Sequence, residues 1–154
     1  MGNIKKPTLK NGKDIHTILN YYASKGLLLA RPLSHIYTRI REFFVYEENN
    51  NIVGCVALSI IWEDLGEIRS LAVKEEYQKK NIGADLVKAA IEEAKSLGLT
   101  RVFTLTYVPE FFKKLGFFQI EKTKLPHKIW SDCINCPHYP NCNEIALEYN
   151  IEPI

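Results

Sequence analysis

The chain has 154 residues, 46% of them hydrophobic and 25% charged, with a formal net charge of +2. That length and composition suit one soluble domain with a sizeable core. The small, scattered positive charge argues against nucleic acid. No apolar run approaches the roughly 20 residues of a membrane span, and Met1–Lys10 lacks the apolar core of a signal peptide. A cytoplasmic chain is expected, with no membrane partner and with its cysteines as thiols or metal ligands rather than disulfides.

In chain order, Asp14–Ser24 places Ile15, Ile18, Leu19 and Tyr22 on one helical face, with Gly26 as a stop. Leu27–Ala30 is an apolar connector. Leu33–Ile40 reads as a short helix with Pro32 near its first turn. Glu42–Glu47 and Ile52–Trp62 read as strands joined by Asn49-Asn50-Asn51, since asparagine tolerates the left-handed backbone of a tight hairpin. The second of these is apolar nearly throughout, as a strand covered on both faces should be, and Cys55 reads there as a small core side chain.

A strand over 67–73, a helix over 84–97 and a strand over 101–107 form a βαβ unit with parallel strands. Ala84, Val87, Ala90, Ile91, Ala94 and Leu97 recur at helical spacing, and Gly98 ends the helix. Pro109 opens a short helix, Glu110–Leu115. Phe117–Glu121 and Glu144–Tyr149 read as closing strands around an irregular segment. With no repeat or linker, residues 1–154 are expected to form a single domain, an α/β (α+β) arrangement with helices on both faces of an open mixed sheet.

The most telling stretch is the joint Gln78-Lys79-Lys80-Asn81-Ile82-Gly83-Ala84 between the 67–73 strand and the long helix. Backbone N–H groups gathered at a helix start just past a buried strand form a site for phosphate. Together with Leu71-Ala72-Val73 before it and Phe111-Phe-Lys-Lys-Leu-Gly-Phe117 beyond the next strand, this joint resembles the GNAT superfamily of acetyl-CoA-dependent acetyltransferases. The resemblance implies a mixed, mostly antiparallel sheet with a βαβ acetyl-CoA-binding core, the loop amides on the pyrophosphate and pantetheine between two splayed parallel strands. Asn81 stands where that family usually has glycine. A left-handed Asn81 costs about 1 kcal/mol, which several charge-assisted amide–phosphate bonds outweigh.

A narrower resemblance covers nearly the whole chain. Gly26-Leu-Leu-Leu-Ala-Arg-Pro32, Cys55-Val-Ala-Leu58, Gly66-Glu-Ile68, Leu125-Pro-His-Lys-Ile-Trp130 and the cysteine-bearing tail are similar to the short, single-domain bacterial N-acetylglutamate synthases. Transfer of acetyl from acetyl-CoA to the α-amine of L-glutamate, the entry to arginine biosynthesis, is what this resemblance implies. The amino-acid-kinase domain of longer members is not expected in so short a chain. Another amino acid, a polyamine or a protein N-terminus stays open as acceptor, as does a non-catalytic acetyl-CoA- or metal-sensing module. A homodimer is also left open.

Acyl transfer to an amine needs a base, a polarised carbonyl, a proton for the leaving thiolate and a grip on the acceptor. Glu67 is the candidate base, acting through one water if burial raises its proton affinity. Strand amides near Leu71 are the expected oxyanion site. Relatives often protonate the thiolate from a tyrosine, but that position is Phe112 here, so Thr106 and then Tyr107 are the substitutes. Arg31, with Lys128 and His127, matches cationic acceptor-binding positions; Arg69 and Ser59 lie where they too could face the acceptor. In the tail, Cys133-x-x-Cys136-Pro-His138-x-x-x-Cys142 offers Cys133, Cys136, Cys142 and His138 as zinc ligands. With one Cys-x-x-Cys pair, a cluster of reduced thiols remains the alternative.

Overall fold

A computed structural model of the chain describes residues 2–125 and 144–151. The elements run β1 (Asn3–Lys5), α1 (Gly12–Ser24), α2 (Leu33–Thr38), β2 (Phe43–Glu48), β3 (Asn51–Trp62), β4 (Leu65–Val73) and α3 (Ile82–Ser96). Then come β5 (Arg101–Thr106), α4 (Pro109–Lys113), β6 (Phe118–Ile120) and β7 (Ile145–Asn150). Among the described residues the strands make one seven-stranded sheet in the order β1-β2-β3-β4-β5-β7-β6. Every neighbouring pair is antiparallel except β4 and β5, the two strands joined by the α3 crossover.

The β2–β3 hairpin turns on Asn49 and Asn50, with φ of 52° and 64°. Both central residues are left-handed, as the tight turn that matches strand twist demands, and Asn51 already pairs with Glu48 in the ladder. The apolar run of β3 is covered on both faces. On one, Val53, Val56 and Leu58 pack with Ile68 beneath Ile82, Leu86, Val87, Ala90 and Ala94 of α3. On the other, Cys55 and Ala57 pack with Phe43, Val45 and Ala72 against Ile15, Ile18 and Leu19 of α1 and Ile36 of α2. A third cluster, Leu65, Phe103, Leu125 and Ala146, fills the sheet beyond α1.

Several boundaries differ from those expected. β1 has no counterpart in the sequence reading, because a three-residue edge strand shows no periodicity. The helix expected over 33–40 stops at Thr38 and tightens into a 3-10 turn over Ile40–Glu42. β4 begins two residues earlier than 67, and α3 begins at Ile82 rather than Ala84.

β4 and β5 stay paired only over Leu65–Glu67 and Arg101–Phe103, and β5 then continues to Thr106 alongside β7. Just past the last pair, the buried Thr104 hydroxyl donates to the Ile68 carbonyl at 2.8 Å. This bond closes the base of the split. Thr104→Val keeps the shape and removes the donor, so it should cost about 1–2 kcal/mol in denaturant unfolding.

Candidate active site

The loop beyond β4 is tied down before it reaches α3. The Gln78 side-chain amide donates to the Tyr22 hydroxyl at 2.7 Å and to the Val73 carbonyl at 3.2 Å, and the Tyr22 hydroxyl donates to that same carbonyl. Gln78 therefore anchors the root of the loop to α1. Asn81 adopts the expected left-handed backbone, φ 63° and ψ 14°, and Lys79 does so as well, with φ 72°. Turns built from such residues gather successive N–H groups around one point. The first intrahelical bond runs from the Asp85 N–H to the Asn81 carbonyl, and Asn81 supplies no side-chain cap. The amides of Ile82, Gly83 and Ala84 are thus the orphan donors of the helix start.

Side chains in this region divide cleanly. Ala72, Val73 and Ile82 are buried, so they meet a ligand only through their backbone; Lys79, Lys80 and Asn81 are exposed. Lys80 lies over the Tyr77 ring at 5.2 Å. A Cβ on Gly83 would stand 3.3 Å from Cζ of Phe111, so glycine lets the first turn of α3 lie against α4.

Glu67 is the last β4 residue paired with β5, and its residue is 8% exposed. Its Oε1 lies 3.8 Å from Nη1 of Arg69, two residues along the same face. Two positions beyond, the β3–β4 register slips: Cys55 pairs with Ala72 but Ala57 with Arg69. Ser70 sits in the resulting bulge with φ 56°. Its carbonyl accepts from the Cys55 thiol at 3.4 Å, and burial pushes that thiol up to about 12, which fits a core side chain.

On the α1–α2 face, a cavity of about 470 Å³ is lined by Leu29, Ala30, Arg31, Pro32, His35, Arg39, Glu42, Ser59, Ile60, Ile61 and Arg69. The Arg31 side chain is 2% exposed and lies 4.9 Å from the centre of the Phe43 ring. Its Nε donates to Nδ1 of His35 at 3.2 Å and its Nη1 to the Ser70 hydroxyl at 2.9 Å. Burial, then the field of Arg69, lowers its pKa to about 10, which still leaves it charged at neutral pH. Glu42 is the local counter-charge: it accepts from the Ser59 hydroxyl at 3.1 Å and lies 3.4 Å from Arg39 and 3.9 Å from Arg31.

The structure thus brings Arg31, Arg69 and Ser59 around one cavity. Sequence reasoning did not name His35, Arg39 or Glu42, although Arg31, His35 and Arg39 follow at four-residue spacing, a signal for one shared face. Thr106 lies at the end of β5, 8% exposed, and its hydroxyl accepts the Val108 N–H at 2.9 Å. Tyr107 follows it, half-buried. Phe112 is a core residue, edge-on to Phe111 and Phe117. His127, Lys128, Cys133, Cys136, His138 and Cys142 lie outside the described residues, and so does the zinc question. Among the described residues no three metal-ligating side chains converge.

The sequence profile of the acetyltransferase (GNAT) family matches residues 17–117. This chain belongs to the GNAT acetyltransferase family. An uncharacterised N-acetyltransferase of Chlorobaculum tepidum is 40% identical over 94% of this chain and 93% of its own length. An amino-acid acetyltransferase of Mycobacterium tuberculosis is 37% identical over 77% of this chain and 69% of its own. The GNAT fold is evident in three dimensions. N-acetylglutamate synthase from Neisseria gonorrhoeae, solved with coenzyme A and N-acetylglutamate, superimposes with a TM-score of 0.91 at 26% identity, covering 99% of this chain. This acetyltransferase spans 35% of the length of that larger protein. A Mycobacterium tuberculosis protein solved with CoA superimposes with a TM-score of 0.84 at 28% identity, over 97% of this chain and 99% of its own.

The left-handed Asn81 is the departure from glycine with the clearest energetic consequence. Asn81→Ala should destabilise the acetyltransferase by about 1 kcal/mol, while Asn81→Gly should be close to neutral, strain relief offsetting the added freedom of the unfolded chain. Paired denaturant titrations check this, and equal stability of the two variants would contradict a required left-handed backbone.

Proposed function

We propose that this acetyltransferase moves acetyl from acetyl-CoA to the α-amine of L-glutamate, and that it does so in the cytoplasm at the entry to arginine biosynthesis. The observation that carries the reading is the cavity whose described lining sets three guanidinium groups, Arg31, Arg39 and Arg69, against one carboxylate, Glu42, with Glu67 3.8 Å from Arg69. Such a wall suits an acceptor with two carboxylates and opposes a polyamine. Relatives named amino-acid acetyltransferase support the same class of acceptor.

The residues present fit acetyl-CoA. Orphan amides of Ile82, Gly83 and Ala84, with Lys79 and Lys80 exposed beside them, would hold its diphosphate. Past Glu67, β4 leaves β5, and its amides near Leu71 can pair with the pantetheine arm and polarise the thioester carbonyl. Acetyl-CoA supplies the activated acyl group; the remaining work falls to the chain.

Arg31 would hold an acceptor carboxylate, with Arg69 beside it; Lys128 and His127 are further proposed contacts. Glu67, the last β4 residue paired with β5 and 3.8 Å from Arg69, would take a proton from the acceptor ammonium through one water. The neutral nitrogen then bonds the acetyl carbon as the carbon–sulfur bond breaks. The proton that the nitrogen sheds on becoming an amide would pass through the hydroxyl of Thr106 or Tyr107 to the leaving thiolate.

Two variants test the assignment. Glu67→Gln should lower kcat by about 10²–10⁴-fold with little change in acetyl-CoA affinity; full thiol release at neutral pH would remove Glu67 as base. Arg31→Lys keeps the charge but loses the fork, so the KM for glutamate should rise about tenfold or more while that for acetyl-CoA holds. A thiol-release screen of amino acids and polyamines under saturating acetyl-CoA tests the acceptor itself, and a polyamine preferred over glutamate would overturn the reading.

A further inference from the structure

A buried guanidinium is a useful carboxylate receptor only if it is held in one orientation, and two of the three Arg31 nitrogens are already committed. Nε donates to His35 and Nη1 to Ser70. Among the described residues, the third, Nη2, has only Glu42 near it, at 3.9 Å and beyond hydrogen-bond reach. The guanidinium carbon lies over the Phe43 ring, 4.9 Å from its centre. The fork is therefore braced on two sides with Nη2 left for a ligand.

We propose that His35 is a positioning residue for the acceptor: as a neutral imidazole it fixes Arg31 through Nδ1, and its protonation releases that brace and weakens acceptor binding. This rests on the proposed amino-dicarboxylate reading of the cavity. The chemistry of the ring decides the rest. Nδ1 can accept from Arg31 only while it carries no proton, so the neutral ring holds its proton on Nε2. His35 lines the cavity, so the brace on Arg31 stands at the proposed acceptor site itself.

The charges around His35 favour the neutral form. Partial burial comes first, followed by Arg31 on the connector, Arg69 on β4 and Arg39 beyond α2, while Glu42 acts in the opposite sense; together they hold the ring below its usual 6.5. With the pKa lowered, the brace is intact at neutral pH. It is lost as pH falls through a value below 6.5. Acceptor affinity should follow, and acetyl-CoA affinity should not, because the diphosphate loop lies at the far end of β4.

The test uses L-glutamate as probe, titrated calorimetrically into CoA-loaded protein between about pH 8 and pH 5. For the wild type the Kd should rise about tenfold towards acid, the worth of one hydrogen bond to a charged group. His35→Asn, whose amide oxygen also accepts but does not titrate, should flatten the profile and recover most of the affinity lost in His35→Ala. A His35→Asn profile as steep as the wild type, or wild-type affinity in His35→Ala, overturns the proposal. A substrate-free readout separates this from failure of the acceptor assignment. Nitrogen-15 NMR of the His35 ring should show the Nε2–H tautomer and a midpoint below 6.5; an Nδ1–H tautomer or a midpoint above 6.5 refutes the brace whatever the acceptor proves to be.

Discussion

The constraint on which the site depends is that β4 cannot stay with β5. A parallel pair reached through a helical crossover would ordinarily zip along its length, yet this one stops after three residue pairs. β5 keeps its other neighbour, β7, through Thr106, so the parting is made by β4 alone. Beyond Glu67, among the described residues, β4 has no strand partner on its β5 side, and the Ile68 carbonyl takes the Thr104 hydroxyl instead. An unpaired strand edge carries a cost in unmet donors and acceptors, which an extended ligand relieves when it pairs as another strand. The Thr104–Ile68 bond fixes where the parting begins, and the Ser70 bulge redirects β4 immediately after it.

That bulge also ties the two halves of the site together. Ser70 has an L side chain in the left-handed region, a conformation that costs roughly 1 kcal/mol or more and persists only where the surroundings impose it. They do so from two directions: the Cys55 thiol donates to its carbonyl from β3, and Arg31 donates to its hydroxyl from the cavity wall. The residue that shapes β4 past the split is thus bonded to a residue that lines the cavity. Among the described residues no carboxylate hydrogen-bonds Arg31, and desolvating a guanidinium to this degree without one is expensive.

Much of this was legible in the chain. The 3.6-residue spacing of Val87, Ala90, Ile91 and Ala94 marks α3 because burial of one face dictates composition, and the asparagine pair marks the hairpin because few residues tolerate its backbone. The left-handed Asn81 was legible for the same reason. Other features depend on partners distant in sequence. Nothing local in Ser70 signals a bulge, since the register slip is set by β3; nothing in Glu42 signals a cavity, since its role arises from Arg31, Arg39 and Ser59 meeting there. β1 carries too few residues for any period, and its pairing with β2 supplies all of its definition.

Phe112 is committed to packing. Its ring is wedged edge-on between Phe111 and Phe117, and Phe117 leans in turn on Tyr149 of β7. An aromatic cluster of this kind secures α4 against the sheet, and the Phe111 ring in the same cluster meets Gly83 at the start of α3. A hydroxyl on Phe112 would have to leave this apolar setting or find a partner in it. The nearby mouth of β5 offers a different donor. Thr106 uses its oxygen to accept the Val108 N–H, which leaves the hydroxyl proton itself for another acceptor. The proposed partner of the thiolate is therefore a hydroxyl on a strand already fixed by β7, through which the proton shed by the amide nitrogen would reach the sulfur.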